Sequence, residues 1–549
     1  MKKTLWFVIG IAACLGVIAG SYIWATGLIN SLYTYRSPLH ATPPQPGPAV
    51  GPAISQKVVL VLIDALRYDT STNTTVMPFL NQLRTRGASA LMHSRVPSYS
   101  EPGYTVLMSG AWPDISDGPA MNLDYADIPT WTQDNLFSAA HRAGLTTAVS
   151  GYNWFEKLIP QADVTDSFYT PGEDAAADND VVAAALPMLS GPDNLVLIHI
   201  DQVDYAGHHQ GGPISPNWNA AAARADKLLQ QIAATLDFSR DTLVVFSDHG
   251  QIDRGGHGGQ DPITLLEPFI MTGAGVVPGS YPDVQMVDVA PTAGLLLGTN
   301  VPASNEGHPL TNMLTVPADE LASLQSALQS QQGKLLASYL AAIDAPARAA
   351  QGADVVSATQ SVIDAARADR LGRERAVRFV VVILLALIPA VVLFLRKEKQ
   401  ALWMLAAALV YVALFNFRYA VLSGRTYSLS SVSSQMDIVM YTAITGAVAF
   451  VCAWLGLALI NDYYLKGPLR AARLSLGLVL MTIYVLSLPI LLNVAMNGIL
   501  VGWTLPDFAT MFVGFLSIIQ CLVVAAVGLI LTGLSAAIAA FIPRARRQA

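Results

Sequence analysis

Phe246–Gln260 reads FSDHGQIDRGGHGGQ and brings Asp248, His249 and His257 close together in the chain. Carboxylate and imidazole form the donor set that suits zinc. His257 lies in the run Gly255-Gly256-His257-Gly258-Gly259, where the lack of side chains lets the backbone fold closely around a bound group. Taken alone, the stretch also fits a polar turn with a solvated histidine. Asp204 and His208 lie four residues apart around a glycine, close enough to chelate one ion. Asp64 ends the apolar run KVVLVLI, a position where an acid is commonly only a helix cap. Ser100 sits in VPSYSEPGYTVLMSGAWP, where Pro102 suits the first turn of a helix. Unpaired backbone N–H groups there favour an anion, so Ser100 is either a capping serine or a nucleophile placed to attack phosphate.

These residues need elements to hold them. Lys57–Ile63, Leu145–Tyr152, Asn194–Ile200 and Thr242–Phe246 are continuous apolar runs of the kind found in buried parallel strands. Met77–Arg86, Trp131–Ala143, Trp218–Leu236 and Asp288–Leu297 read as helices. Three of the four predicted strands end in metal-capable residues: Asp64, Asp204 with His208, and Asp248 with His249. A parallel sheet brings its carboxyl ends to one edge, which turns scattered residues into one site. The candidate ligands then divide into two sets. Asp204, His208 and His257 hold one ion; Asp64, Asp248 and His249 hold a second, with a position left for the Ser100 oxygen. Two ions a few ångströms apart suit in-line displacement at phosphorus. His199, inside a strand, reads as a satisfied core histidine, and His209 as a neighbour of the site. Asn153–Asp180 reads as a long functional loop carrying Trp154, Phe155, Phe168 and Tyr169.

The chain has 549 residues, of which 53% are hydrophobic and only 13% charged, too apolar for a wholly soluble protein. Leu5–Ala25, Ala376–Leu395, Ala401–Leu422, Met436–Ile460, Leu474–Val494 and Met511–Ile542 are each long enough to cross a bilayer. With Lys2 and Lys3 inside, the basic loops Arg396–Lys399, Asn461–Arg473 and Pro543–Arg547 also fall inside, and residues 30–375 fall outside. The expected organisation is an N-terminal membrane anchor (1–29), a Pro/Gly-rich linker (30–56), a catalytic domain (57–313), a helical stalk (314–375) and a five-span membrane domain (376–549). The first run is read as an anchor rather than a cleaved signal because of its length. Cys14, Cys452 and Cys521 all lie in predicted spans, so the external part has no disulfides. The net charge of −7, without a basic stripe, sets nucleic acid aside as a partner.

The set resembles the alkaline phosphatase superfamily, in particular its type I phosphodiesterase and nucleotide pyrophosphatase branch. The pieces that carry the likeness are Val58–Asp64, Pro97–Gly110 with Ser100 at the nucleophile position, Asp204-x-x-Gly207-His208, Ser247-Asp248-His249-Gly250 and Gly256-His257-Gly258. Val287–Thr292, Leu295–Gly298, Pro302 and Ser304-Asn305-Glu306-Gly307 are similar to the closing segment of the GPI ethanolamine phosphate transferases, whose membrane layout is also shared. The resemblance implies an α/β fold, with an alkaline-phosphatase-like parallel-sheet sandwich outside and an all-α membrane domain. It also implies two zinc ions, with manganese as the alternative, and a phosphoryl-binding asparagine matched by Asn122; Trp154 is taken as a second substrate-side residue. The branch usually has threonine where Ser100 stands. Nucleotide-cleaving members follow it with an aromatic, a proline and an asparagine, and here Glu101 and Gly103 replace the first and last. Ser100-x-Pro102 also touches the sulfatase motif, but position 104 is Tyr104 and not arginine, which argues against formylglycine.

The expected activity is a two-metal phosphodiesterase or phosphotransferase acting through a serine phospho-enzyme at the outer face of the plasma membrane. Its expected partner is a phospholipid or lipid-linked glycan, because a soluble substrate gives no reason to keep so much protein in the bilayer. Arg418, Asp437 and Asp507 are the residues of the membrane half expected nearest a headgroup. The rival readings are an anchored hydrolase of soluble phosphoesters or nucleotides, and a catalytically inactive transporter or scaffold.

Overall fold

The computed structural model describes residues 2–396, 399–432, 434–461, 465 and 467–541. The chain divides into two compact units, one comprising 33–371 with 503–505 and the other 1–32, 372–502 and 506–549.

The first unit is built on one sheet. Its strands are β1 (Lys57–Ile63), β2 (Ala88–His93), β3 (Thr147–Tyr152), β4 (Asp166–Thr170), β5 (Leu195–Ile200), β6 (Asp241–Phe246), β7 (Leu266–Gly273), β8 (Gly279–Ser280) and β9 (Val284–Gln285). They run in the order β4-β3-β5-β1-β6-β7-β2-β8, with β9 also on β2. β4, β3, β5, β1 and β6 are mutually parallel, and β7 is antiparallel to both β6 and β2. The sheet is therefore mixed, with a five-stranded parallel core.

β1 is continuously apolar because helices cover both its faces. Val58, Leu60 and Leu62 face a core shared with the helices Ser100–Ser109, Leu136–Arg142 and Val289–Leu297. Val59, Val61 and Ile63 face the opposite core, shared with Pro78–Arg86, Ala175–Ser190 and Pro216–Ala233. Each such side chain contributes roughly 1.5–3 kcal/mol by its burial.

The structure departs from the sequence reading at several elements. The helix expected over Trp131–Ala143 begins only at Leu136, where the Asn135 side chain accepts from Phe137 N and Ser138 N and so caps it. The loop expected over Asn153–Asp180 contains the short helix Phe155–Leu158, strand β4 and the start of the helix Ala175–Ser190. The Pro/Gly-rich stretch does not stand free of its unit. Val50 N donates to Thr299 O at 3.0 Å and Ile54 N to Leu296 O at 2.9 Å. Ala318–Ala342 packs Leu335, Leu336, Tyr339 and Leu340 into a further core with Leu39, Ile115 and Ile363.

The second unit is helical. Among the described residues, six helices have the length and composition to cross a membrane: Thr4–Tyr33, Val355–Leu395, Gln400–Leu422, Gln435–Ile460, Pro468–Asn497 and Phe508–Phe541. The chain is an integral membrane protein. Its helices are joined by buried polar contacts, among them Tyr411 OH to Gln520 Oε1 at 2.9 Å and Trp454 Nε1 to Ser475 Oγ at 2.9 Å. Arg418 lies over the Tyr441 ring, Asp437 is engaged by Arg425 at 2.8 Å, and Asp507 caps the last helix through Thr510 N. Lys397, Glu398, Lys466 and Pro543–Arg547, part of the basic-loop pattern, lie outside the described residues.

Candidate metal centre

The parallel strands deliver their carboxyl ends to one place. Asp64 follows β1, Asp201 follows β5, and Asp248 and His249 follow β6. Asp204 and His208 lie on the helix Gln202–His209 that leaves β5, which brings them to one face four residues apart. Ala65, directly after Asp64, holds φ +59°, a left-handed conformation uncommon for a non-glycine residue, and its N–H donates to Asp248 Oδ1 at 3.2 Å. Ser100 is the first residue of its helix, with Tyr99 at the N-cap.

The histidine tautomers follow from what faces them. His249 Nδ1 lies 3.1 Å from the Gly250 carbonyl and His257 Nδ1 lies 3.1 Å from the Ser98 carbonyl. A carbonyl only accepts, so both Nδ1 atoms carry the hydrogen and both Nε2 atoms present a lone pair. His249 Nε2 is 3.1 Å from Ser100 Oγ, 3.3 Å from Asp248 Oδ2 and 3.5 Å from Asp64 Oδ1. His257 Nε2 is 2.9 Å from His208 Nε2 and 3.7 Å from Asp204 Oδ1, and His208 Nε2 is 3.5 Å from Asp204 Oδ2. The His249 and His257 rings stack with centroids 3.8 Å apart.

Lone pairs and carboxylate oxygens converging this closely repel one another unless a cation lies among them. Asp64 Oδ1 and Asp248 Oδ2 are buried with no hydrogen-bond partner among the described residues, a costly arrangement without a charge to bind. Burial, then the nearby Asp64, pushes the Asp248 carboxyl well above its ordinary range. Burial, then the neighbouring His249 ring, pushes His257 well below its own. Burial acts to raise Asp204 too, but His208, His257 and His249 outweigh it and lower the carboxyl. The residues fit a divalent metal centre.

Donor atoms lie within 4.8 Å of one another in three groups: Asp204, His208 and His257; Asp64, Asp204 and His249; and Asp64, His199 and Asp201. The first is the set expected from sequence. The second draws in Asp204, so this carboxylate reaches both groups. The third corrects the reading of His199 as a satisfied core histidine: its Nδ1 has no partner among the described residues, and its Nε2 lies 3.0 Å from both Asp64 Oδ2 and the Tyr104 hydroxyl. Its strand position pointed inward, but the sheet order that sets β5 beside β1 aims it at Asp64. Asp248 and His249, adjacent in sequence, are both buried. His209 is exposed, with its ring 4.7 Å from that of Tyr205.

Asn122 and Trp154 both line the cleft over the centre, together with Asp64, Ser100, Tyr152 and Glu173. Asn122 Oδ1 accepts from Glu101 N at 3.0 Å, which leaves its amide for the cleft. Several contributors were not recognised in the sequence. Tyr104 donates to Asp64 Oδ2, and Gln251, itself buried, donates to Asp204 Oδ1. Glu101 accepts from Leu123 N at 2.9 Å and so ties the Asn122 loop to the Ser100 helix; burial holds its carboxyl at about 8. The glycine run folds as its composition suggests. Gly258 has φ +102°, and a Cβ there would lie 2.2 Å from the Tyr99 ring, whose edge packs 5.5 Å from His257.

Residues 58–254 match the model of the type I phosphodiesterase / nucleotide pyrophosphatase family. The chain is similar to human GPI ethanolamine phosphate transferase 2, catalytic subunit, with 30% identity over 297 residues, covering 49% of this chain and 30% of that protein. It is similar to human GPI ethanolamine phosphate transferase 3, catalytic subunit, with 27% identity over 289 residues, covering 47% and 26%. The matched region thus spans about a third or less of these two relatives. Among solved structures, murine ectonucleotide pyrophosphatase / phosphodiesterase 5 aligns at 15% identity over 47% of this chain and 100% of its own, with a TM-score of 0.39.

Proposed function

We propose that the chain is a membrane-bound phosphotransferase that moves a phosphorylated headgroup, in the manner of ethanolamine phosphate, from a phospholipid to an acceptor hydroxyl on a lipid-linked glycan. The observation that carries this reading is the convergence of Ser100 Oγ with His249, Asp64 and Asp248 at the carboxyl edge of the parallel strands. The names of the relatives and the six apolar helices support the lipid-linked substrate.

Asp204, His208 and His257 would hold one ion, and Asp64, Asp248 and His249 a second beside Ser100, with zinc best suited to the donor set. Divalent ions bound there supply charge neutralisation at the phosphoryl oxygens and acidify the attacking hydroxyl. Ser100 Oγ attacks phosphorus and loses its proton to solvent. The P–Oγ bond forms as the bond from phosphorus to the lipid glycerol oxygen breaks, and that oxygen leaves as an alcohol after taking up a proton. The acceptor hydroxyl then attacks the same phosphorus: the new P–O bond forms as the P–Oγ bond breaks, the acceptor's proton goes to solvent, and Ser100 Oγ takes up a proton. The Asn122 amide and the N-terminal turn of the Ser100 helix donate to the phosphoryl oxygens. Tyr104 and Gln251 orient Asp64 and Asp204. The pattern of basic loops supports a catalytic unit on the side of the membrane away from the cytoplasm.

The test is to purify the full chain, measure its bound metal, and assay release of diacylglycerol from phosphatidylethanolamine with and without a glycan acceptor. Two metal equivalents and acceptor-dependent release are expected. Turnover of soluble p-nitrophenyl phosphodiester without any turnover of lipid would replace this reading with the anchored hydrolase.

A further inference from the structure

The cleft over the centre has a volume of about 160 Å³. That is below the roughly 300–1,000 Å³ of pockets for drug-sized ligands, and it suits a small headgroup better than a nucleoside. Its lining has two chemical parts. Asp64, Ser100 and Asn122 belong to the phosphoryl chemistry. Tyr152, Trp154 and Glu173 do not: none of them belongs to a metal-donor group.

These three residues come from the carboxyl ends of β3 and β4, the two strands on the far side of β5 from β1. Tyr152 OH donates to Glu173 Oε1 at 2.9 Å, and the Tyr152 and Trp154 rings meet edge to face at 5.0 Å. Glu173 is half-buried, and its partner is a neutral phenol. No cationic side chain pairs with it among the described residues, although the cleft already carries the carboxylates of Asp64, Asp201 and Asp204. A carboxylate without a cationic partner, in a cleft that an indole ring also lines, is the combination that binds an organic ammonium, through charge-assisted hydrogen bonding and cation–π attraction.

We propose that Glu173, Trp154 and Tyr152 recognise the primary ammonium of the donor headgroup while its phosphate lies at Ser100. The inference rests on the phosphotransferase reading above and names the headgroup class that the site selects: a phosphodiester carrying an amine on a short spacer. Glu173 supplies the charge, Trp154 a π face, and Tyr152 fixes the carboxylate.

The full chain would be assayed on mixed vesicles containing phosphatidylethanolamine or phosphatidylglycerol, and the ratio of kcat/KM for the two lipids recorded. Ethanolamine phosphate and glycerol phosphate would be compared as competitors in parallel, as a binding readout free of lipid presentation. Wild type is expected to favour the amine in both assays. Glu173→Gln should lower both preferences about tenfold, equivalent to about 1.4 kcal/mol. Glu173→Asp should keep part of them, and Trp154→Leu should lower them by a smaller factor. If Glu173→Gln melts below the assay temperature, Trp154→Leu decides. Preferences within twofold of wild type in both Glu173→Gln and Trp154→Leu would overturn the pocket while leaving the transferase reading intact. A wild type indifferent to headgroup charge would sink the donor reading, and the pocket with it.

Discussion

Ser100 Oγ lies 3.1 Å from Nε2 of His249, a nitrogen whose lone pair is left free because Nδ1 donates to the Gly250 carbonyl. Two carboxylate oxygens without hydrogen-bond partners among the described residues complete that environment. The hydroxyl therefore faces an acceptor nitrogen that lies among unpartnered carboxylate oxygens, an arrangement suited to a nucleophile beside a cation. Ser100→Ala should lower turnover of p-nitrophenyl phosphodiester by on the order of 10³-fold. It should also abolish acid-stable labelling of the protein by a phosphorus-labelled donor. Labelling that survives in the variant would move the nucleophile elsewhere.

The donor group with His208 and His257 shares only Asp204 with the group of Asp64 and His249. His208→Ala should therefore remove about one equivalent of metal, and Asp204→Asn should weaken both sites, as read by elemental analysis after dialysis. Because an ion that binds only the folded state stabilises it by mass action, EDTA should lower the melting temperature of the full chain, and added zinc should restore it. A melting curve indifferent to chelation would contradict a metal centre made from these residues.

Gly103 packs directly on the strand end that carries Asp248. A Cβ at this position would lie 2.8 Å from Asp248 Cβ and 3.1 Å from the Asp248 carbonyl oxygen. Gly103→Ala should cost about 1–3 kcal/mol of stability by overpacking. It should lower kcat by roughly tenfold to a hundredfold, because small displacements in an active site are expensive. Thermal melts and steady-state kinetics check the two effects, and an unaffected kcat would show that the helix yields without moving Asp248.

Glu306 accepts from Trp112 N at 2.9 Å, and burial, with Asp114 adding and Arg367 opposing, raises its carboxyl from 4.5 to about 8. The folded state thus prefers the protonated acid. The stability this gives is fully present below pH 4.5 and is lost as pH rises through about 8. Glu306→Gln keeps an acceptor for Trp112 but cannot ionise. Wild type should therefore lose melting temperature relative to this variant as pH rises from about 5 to about 9, with the gap flat at lower pH. A constant gap across the whole range would refute the shifted ionisation.

Asp64, Asp248 and His249 were legible because each stands where a continuous apolar run stops, and such runs are local features of the chain. The same reasoning failed at β4. Asp166 and Ser167 are exposed and the rest of the strand only half-buried, so this edge strand carries no apolar run and reads as loop. Missing it also hid Glu173. Tyr104 and Gln251 were missed for another reason: a tyrosine on a helix and a glutamine in a turn are ordinary residues until a neighbouring strand brings an acid to them. The sheet's antiparallel part escaped as well, because β7 and β2 differ from the parallel strands in direction and not in composition.

By itself, the sequence determined the inventory: the apolar runs that must cross a bilayer, the acids and imidazoles at strand ends, and a serine at the start of a helix. Those follow from composition and short-range periodicity, which every residue carries with it. Only the tertiary structure decided how the inventory is shared. Strand order β4-β3-β5-β1-β6 sets His199 beside Asp64 and places Tyr152 and Glu173 over the same cleft as Ser100. The Gly250 and Ser98 carbonyls choose which nitrogen of each histidine is free. Distances between residues far apart in the chain depend on which strands are neighbours and on how their helices pack, and no local pattern encodes that.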